Sequence, residues 1–293
     1  MSFSKTWSTA VRPEKKQLIP CVICGSLKFK PSLSCEGFGY VRCASCGLVQ
    51  INPQPVKEET ESRYNDGQDY LAYEIANEEN YLNLQLLALD DVGFSGLERD
   101  LFLNTSSGPR ILDIGCATGS LLSRLRDRGW KTTGVEISGP QAEYARRERK
   151  LDIRSFRLEE NHFPAASYNV VHASHLIEHL NDPAAMLREA HRILAPGGRL
   201  FVTTPNIAGF QARLFGKKWR SAIFDHLYLF SVRTLSGLLE KTGFVREKTA
   251  TWGGLAAGTA PVPVKRCFDK AAKRFGFGDV MILRSVKKNE TET

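Results

Sequence analysis

Apolar and polar residues succeed one another along the second half of the chain in a way that predicts alternating strands and helices. A short apolar run, RILDI at 110–114, precedes a glycine turn and the helical pattern SLLSRLRDRG. The same order recurs through WKTTGVEIS, PAAMLREAHRIL and RLFVTTPN to a last strand, DVMILRSVKK. This alternation predicts an α/β fold, a mostly parallel sheet with helices on both faces. Ligands of such sheets bind beyond the carboxyl ends of the strands.

The first half of the chain follows a different pattern, dominated by cysteine. Two CxxC turns, each followed by glycine, lie 18 residues apart and contain Cys21, Cys24, Cys43 and Cys46. Four thiolates directed at one point suit tetrahedral Zn²⁺, and four protein ligands leave no open position for catalysis. We therefore expect a small N-terminal zinc ribbon with a structural Zn²⁺, in which Cys35 is a spare thiol.

Composition and charge divide the chain further. We expect a flexible basic tail over 1–18, the zinc ribbon over 19–53, a helical linker or cap over 54–104, and the α/β domain over 105–288. The net charge is +8, and basic residues crowd the last thirty positions. A basic face favours an anionic partner such as phosphate, nucleic acid or a membrane surface, although a solvated helix face is the simpler interpretation.

Two further features place the protein in the cell. The longest apolar runs fall short of the roughly 20 residues that span a bilayer, so no membrane span is expected. The N-terminus lacks the apolar region of a secretory signal. A cytoplasmic location is therefore predicted.

The glycine turn after RILDI has the chemistry of a nucleotide site. Gly115 and Gly119 let the backbone approach a ligand closely, and the following helix offers unpaired N–H groups. Glu136 ends the next strand, where a carboxylate can accept both hydroxyls of a ribose. Position 117 is alanine and position 120 serine, so the turn is not the GxGxxG of nicotinamide-dependent dehydrogenases.

Several motifs in order resemble the class I S-adenosylmethionine-dependent methyltransferases: LDIGCATG at 112–119, Glu136, the segment 167–183 and the helix–Gly-Gly–strand at 187–206. The resemblance covers residues 80–288 and implies a Rossmann-like sheet. It also implies a set of residues around S-adenosylmethionine, with the adenine contacts assigned least directly. These residues are Asp113, Gly115, Cys116, Ala117, Gly119, Glu136, Leu158, Glu159 and His175.

The ribbon and the tract FDHLYLFS together resemble methyltransferases of bacterial cell-surface polysaccharide and deoxysugar pathways. The sugar C-methyltransferases among them carry a tract like YHEHLSYFS, whose Glu-His pair is linked to deprotonation of the acceptor. The resemblance implies that an insert at 206–231 builds the acceptor pocket, with His226 as base beside Asp225. The leading Tyr-His is missing, so O- and C-methylation of a sugar or related small molecule both stay open. Further candidate contacts to the acceptor are Tyr64, Tyr70, Trp219 and Arg220, and Lys217 and Lys218 for a nucleotide-sugar diphosphate.

Other interpretations stay open. The protein could be an RNA methyltransferase that holds phosphates with the ribbon and the basic tail, which predicts steep weakening with salt. It could also be a non-catalytic zinc-ribbon interaction protein that binds S-adenosylmethionine without transferring its methyl group. At the level of residues, His226 could only hydrogen-bond Asp225 and order the loop. We interpret His179 as fixing local hydrogen bonds, and His172 has no partner that the sequence identifies.

Overall fold

The computed structural model describes residues 15–56, 68–255 and 261–288, and this part contains thirteen strands and eight helices. The strands are β1 (Lys16–Gln17), β2 (Phe29–Cys35), β3 (Phe38–Cys43), β4 (Val49–Ile51), β5 (Gln54–Pro55), β6 (Arg110–Ile114), β7 (Lys131–Val135), β8 (Asp152–Arg154), β9 (Tyr168–Ser174), β10 (Leu194–Pro205), β11 (Tyr228–Leu229), β12 (Phe244–Trp252) and β13 (Val280–Lys287). The helices are α1 (Gln68–Asp91), α2 (Phe94–Asn104), α3 (Ser120–Asp127), α4 (Gly139–Arg149), α5 (Pro183–Ile193), α6 (Phe210–Phe215), α7 (Val232–Lys241) and α8 (Val262–Phe275).

A seven-stranded sheet in the order β12-β13-β10-β9-β6-β7-β8 forms the centre of the α/β domain. The strands β8, β7, β6, β9 and β10 pair in parallel, whereas β13 runs antiparallel to both of its neighbours. Leu112, Val171 and Val202 on the three central strands are completely buried, as apolar runs covered on both faces require. The predicted α/β, Rossmann-like fold class is confirmed. The carboxyl ends of β6, β7, β9 and β10 therefore lie along one edge, where the candidate site residues are found.

Several elements differ from the sequence prediction at their ends. The predicted helix through LALDDVGF breaks at Gly93, whose φ of +80° ends α1 before α2 begins. Strand β10 begins at Leu194 rather than Arg199, with a bulge between these two residues where it pairs with β9. Helix α8 is not predicted by the apolar pattern, because only Ala272 on it is buried. Residues 16–17 pair with β5, so this end of the predicted flexible tail is instead a short strand.

The cysteine-rich segment and the insert after β10 share one antiparallel sheet, in the order β11-β4-β3-β2. Strand β11 belongs to the insert, and its Tyr228 and Leu229 pair with Gln50 and Val49 of β4. Trp219 of the insert packs in the same apolar cluster as residues of β3 and β4. The sheet thus holds the insert through main-chain strand pairing and through side-chain packing.

Helix α1 lies across the glycine turn and α4. Glu78 on α1 accepts a hydrogen bond from the Thr118 hydroxyl at 2.9 Å and pairs with the Arg149 guanidinium. The end of the helix is held by buried Ala88 and Leu89. Within the described residues, no helix is both long enough and apolar enough to cross a membrane.

Candidate active site

The turn that follows β6 has an unusual backbone. Gly115, Ala117 and Gly119 all have positive φ, at +71°, +49° and +76°. A Cβ on Gly119 would lie 2.5 Å from a methyl carbon of Leu151, so a side chain there would displace Leu151 in addition to straining the backbone at this positive φ. Ala117 is a non-glycine residue in the left-handed region, which costs about 1–2 kcal/mol and is typical of functional loops.

Glu136, which directly follows β7, holds this turn in place. Its two carboxylate oxygens accept the Ala117 N–H at 2.9 Å and the Ser138 N–H at 2.8 Å. Burial raises the pKa of Glu136, although these N–H groups oppose the effect. The side chain is partly exposed, and a carboxylate has about four acceptor sites, so it can still accept from a ligand. A glycine-rich turn beside such a carboxylate fits the ribose and methionine parts of S-adenosylmethionine.

A buried pair of hydrogen-bonded side chains supports the turn from the interior of the sheet. The Asp113 carboxylate lies 2.7 Å from Nδ1 of His172, and both side chains are almost fully buried. The two residues occupy neighbouring strands, β6 and β9, at paired positions. His172 is thus the partner of Asp113, which sequence reasoning missed because the pairing of two distant strands creates the contact.

The remaining candidate cofactor residues lie around the same edge of the sheet. Cys116 is buried within the turn. Leu158 and Glu159 begin a short 3₁₀ helix after β8, where Leu158 is buried and Glu159 is exposed. His175 directly follows β9, with a φ of +52° and a half-exposed side chain.

A second group of polar side chains lies beyond the ends of β9 and β10. Glu178, His179 and His226 each offer one potential ligand atom, and these three atoms lie within 4.8 Å of one another. The rings of His179 and His226 meet edge to face, with centroids 4.7 Å apart. Leu176 connects this cluster to the glycine turn, because its side chain would contact a Cβ on Gly115 at 3.2 Å.

The hydrogen bonds of the two imidazoles differ from the expected Asp225–His226 pair. Nδ1 of His226 lies 2.8 Å from the carbonyl of Ser221, so this nitrogen is not directed at the Asp225 carboxylate. Asp225 instead provides its main-chain carbonyl, 2.9 Å from Nδ1 of His179. The sequence interpretation gave His179 a local hydrogen bond, whereas its Nδ1 instead contacts the insert, 46 residues later, and the same residue belongs to the cluster.

Burial sets the ionisation of the cluster. Burial and the neighbouring His179 lower the pKa of His226 to about 3, so its imidazole is neutral at physiological pH. Burial raises the pKa of Glu178, but the imidazole of His175, 3.4 Å from its carboxylate, and that of His179 outweigh this and lower it to about 2. Glu178 is completely buried, and sequence reasoning did not select it. Its only signal was its place directly before His179.

The four cysteines of the ribbon converge as expected. The Sγ atoms of Cys21 and Cys46 are 3.4 Å apart, and those of Cys24 and Cys43 are 3.5 Å apart. Zn–S bonds of about 2.3 Å in a tetrahedron place neighbouring sulfurs about 3.8 Å apart, so the set fits Zn²⁺ closely. Burial raises the pKa of Cys21 and Cys46, whereas N–H groups of Cys46 and Ser45 outweigh burial at Cys43 and lower its pKa to about 6.

Cys35 and Tyr40 connect the ribbon to the insert. The Cys35 thiol faces the carbonyls of Lys217 and Ala222 at 3.9 Å and lies outside the four-cysteine group. The Tyr40 hydroxyl lies 2.7 Å from the carbonyl of Ile223 and 2.9 Å from that of His226. The ribbon therefore contacts the segment that positions His226.

The candidate acceptor contacts are scattered. Tyr64 lies outside the described residues, as does the side chain of Tyr70. The indole N–H of buried Trp219 donates to Asp279, so this side chain is used within the fold. Arg220 also pairs with Asp279, at 2.7 Å, but most of its side chain is exposed beside Lys217 and Lys218.

Residues 94–248 match the methyltransferase-domain family, just over half of the chain. A ubiquinone biosynthesis O-methyltransferase of Pseudomonas aeruginosa strain LESB58 is 32% identical over 107 residues, which are 34% of this chain and 46% of the relative. A probable S-adenosylmethionine-dependent methyltransferase of Mycolicibacterium smegmatis is 33% identical over 144 residues, 49% of this chain and 54% of the relative. The chain thus spans about half the length of these curated relatives.

Solved structures agree on the fold. A chain from Haloferax volcanii, solved in a complex of the Trm112 methyltransferase activator with a methyltransferase, superposes with a TM-score of 0.57 at 18% identity, covering 76% of this chain and 96% of its own. A methyltransferase from Thermotoga maritima, described as a possible histamine N-methyltransferase, gives a TM-score of 0.51 at 24% identity, covering 74% and 97%.

Proposed function

The chain belongs to the methyltransferase-domain family, and on that premise we propose that it transfers the methyl group of S-adenosylmethionine to a hydroxyl oxygen of a small polar acceptor, preferably a sugar or nucleotide sugar. One observation carries the proposal. The cluster of Glu178, His179 and His226 lies beside the glycine turn, joined to it through Leu176. Groups able to activate a hydroxyl thus stand next to the cradle for the methyl donor.

The glycine turn and Glu136 would hold the donor. Glu136 would accept the ribose hydroxyls, and the turn from Gly115 to Gly119 would let the methionine part approach the backbone. When bound, S-adenosylmethionine supplies a methyl group already activated on a sulfonium sulfur. The protein therefore has to align an acceptor oxygen with that methyl carbon and to remove the oxygen's proton.

His226 is proposed as the residue on which activation of the acceptor hydroxyl depends. Because Nδ1 faces a carbonyl oxygen, which can only accept, Nδ1 must carry the ring proton. Nε2 of the neutral ring then keeps its lone pair, as activation of a hydroxyl at neutral pH requires. Asp225 is assigned a positioning role through its carbonyl on His179.

The choice of oxygen and of a sugar rests on separate support. The curated relatives from Pseudomonas are named O-methyltransferases, which favours oxygen over carbon. The four-cysteine ribbon with FDHLYLFS supports a sugar. Exposed Lys217, Lys218 and Arg220 on the insert could neutralise the diphosphate of a nucleotide sugar. In the ribbon, Cys21, Cys24, Cys43 and Cys46 would hold a structural Zn²⁺.

A phenolic hydroxyl is a second candidate acceptor. The observation in its favour is the name of the Pseudomonas relatives, which act in ubiquinone biosynthesis. Both candidates need activation of a hydroxyl at the same cluster, so they differ in the acceptor and not in the chemistry.

The test measures methyl transfer from isotope-labelled S-adenosylmethionine to a panel of nucleotide sugars and to catechols. We expect labelled product with at least one nucleotide sugar. His226→Ala should lower turnover about 100-fold or more, while the dissociation constant for S-adenosylmethionine stays within a factor of about 3. His162→Asn is the matched control, because His162 is exposed and asparagine tolerates its positive φ. Binding of the donor without product from either panel, or unchanged turnover in His226→Ala, contradicts the proposal.

A further inference from the structure

The cluster beside the glycine turn has the composition of a metal site as well as of a proton acceptor. Glu178 and His179 belong to the short 3₁₀ helix Ile177–His179 after β9, and His226 belongs to the insert just before β11. Their three potential ligand atoms lie within 4.8 Å of one another, although the residues come from two separate segments. A carboxylate with two imidazoles is a common donor set for divalent transition metals.

The outer hydrogen bonds of both imidazoles leave one nitrogen of each free to bind a cation. Nδ1 of His179 faces the carbonyl of Asp225 at 2.9 Å, and Nδ1 of His226 faces the carbonyl of Ser221 at 2.8 Å. Carbonyl oxygens cannot donate, so both Nδ1 atoms carry protons and both Nε2 atoms carry lone pairs. A backbone carbonyl that fixes the tautomer in this way is the usual partner of a metal-bound histidine.

Glu178 supplies the negative charge of the cluster. Its side chain is completely buried, and one oxygen, Oε2, accepts the Thr204 hydroxyl at 2.9 Å. The other oxygen, Oε1, has no hydrogen-bond partner in the described part of the chain, and Nδ1 of His175 lies 3.4 Å from it. A buried carboxylate without full pairing is costly. With one carboxylate and two imidazoles within 4.8 Å of one another, a cation at the centre of the cluster would supply the missing positive charge.

We propose that Glu178, His179 and His226 bind a divalent transition-metal cation of the Zn²⁺ type, with open coordination positions for the acceptor hydroxyl. The inference rests on the proposed function and specifies how His226 acts in it, as a ligand that activates the hydroxyl through the cation. Two imidazoles with one carboxylate favour such a cation over Mg²⁺ or Ca²⁺, which prefer oxygen ligands.

The chemistry at this site balances without a further reactant. A hydroxyl oxygen held by the cation is more acidic than the free hydroxyl. Its proton is released to solvent. The oxygen forms its new bond to the methyl carbon while the carbon–sulfur bond breaks, and the sulfur keeps the electron pair as S-adenosylhomocysteine.

The experiment counts metal ions and identifies their ligands in the full chain, with no acceptor present. Protein stripped by chelation is reloaded with Zn²⁺ for elemental analysis and with Co²⁺ for absorption spectroscopy. We expect about two metal ions per chain, one bound by thiolates with intense sulfur-to-cobalt absorption and one bound by nitrogen and oxygen with weak bands only. Glu178→Gln and His226→Ala should each weaken the second site by more than about 100-fold while the thiolate absorption and S-adenosylmethionine binding persist.

Glu178→Gln is nearly isosteric, so it keeps the test meaningful if His226→Ala folds poorly. The matched control is His162→Asn, which should bind both metal ions. One thiolate-bound metal ion per wild-type chain, with full methyl transfer, would overturn the inference and leave the proposed function intact. Two metal ions without methyl transfer would overturn the proposed function and leave the metal site intact.

Discussion

Replacing Tyr40 by phenylalanine tests whether the ribbon positions the active site. The Tyr40 hydroxyl on β3 lies 2.7 Å from the carbonyl of Ile223 and 2.9 Å from that of His226, and the residue is 2% exposed. Burial raises the pKa of Tyr40 well above its usual value, so the hydroxyl remains a donor at all physiological pH values. Phenylalanine keeps the ring and removes only this donor.

The expected loss of stability depends on which other hydrogen bonds the two carbonyls accept. The Ile223 carbonyl retains the His226 N–H at 3.1 Å, whereas no other donor to the His226 carbonyl lies among the described residues. A buried carbonyl left without a partner costs about 1–3 kcal/mol, so the free energy of unfolding should fall by roughly that amount. Turnover should fall by about 10-fold because the segment that carries His226 loses its anchor. The dissociation constant for S-adenosylmethionine should not change, since Tyr40 makes no contact with the glycine turn.

Denaturant unfolding, turnover and donor binding measure these three quantities. Tyr81→Phe is the matched control, because its hydroxyl bonds only the hydroxyl of Tyr73 at 3.3 Å on the exposed side of α1. It should change the free energy of unfolding by less than about 0.5 kcal/mol. Wild-type stability and turnover in Tyr40→Phe would show that Tyr40 does not anchor the segment, as would a loss of donor binding equal to the loss of turnover.

Three further changes test other parts of the structure. Glu136→Gln should raise the dissociation constant for S-adenosylmethionine by about 10-fold or more, as measured by calorimetry. Glu143→Gln, on the exposed face of α4, should leave it unchanged. Equal affinities of the two variants would show that Glu136 does not bind the donor. Cys43→Ser should lose the proposed Zn²⁺ of the four cysteines, as measured by elemental analysis. Turnover should fall by a larger factor than the affinity for S-adenosylmethionine, because β11 of the insert pairs with this sheet. Full zinc content would contradict the assigned ligands. Burial raises the pKa of Glu247, but its hydrogen bonds from Arg284 and Arg199 outweigh this and lower the pKa, so the stabilising effect is present at neutral pH and is lost as the pH falls through the lowered pKa. Glu247→Gln should cost about 1 kcal/mol of unfolding free energy at pH 7 and progressively less as the pH falls, and a cost that does not decrease in acid would contradict the ion pair.

Local patterns in the sequence were sufficient for the α/β fold class and for the two cysteine turns. The period of apolar residues identifies strands and helices one by one, and CxxC spacing determines where two thiolates of one turn can point. The glycine turn and Glu136 could be predicted for the same reason, since each lies at the end of its own strand. The adenine contacts at Leu158 and Glu159 depend on a family resemblance and remain a prediction.

Contacts between distant segments could not be predicted from such patterns. Asp113 and His172 are 59 residues apart and meet only because β6 and β9 pair in a fixed register. The sequence suggested Asp225 as the partner of His226 because the two are adjacent, but the two lie in a turn, where Nδ1 of His226 meets the carbonyl of Ser221 instead. Tertiary packing instead brings Glu178 and His179 against His226.

The tract FDHLYLFS illustrates which features the local sequence predicts and which depend on tertiary contacts. Its composition alone determined that an acid and an imidazole lie within an apolar segment, and its place after the fifth strand of the sheet suggested an acceptor pocket. Only the tertiary structure decided that Tyr228 and Leu229 extend the ribbon sheet and that the Asp225 carbonyl holds His179, 46 residues earlier. The reason is physical: strand pairing and the burial of polar groups are satisfied over the whole chain at once, so local spacing cannot determine which distant partners satisfy them.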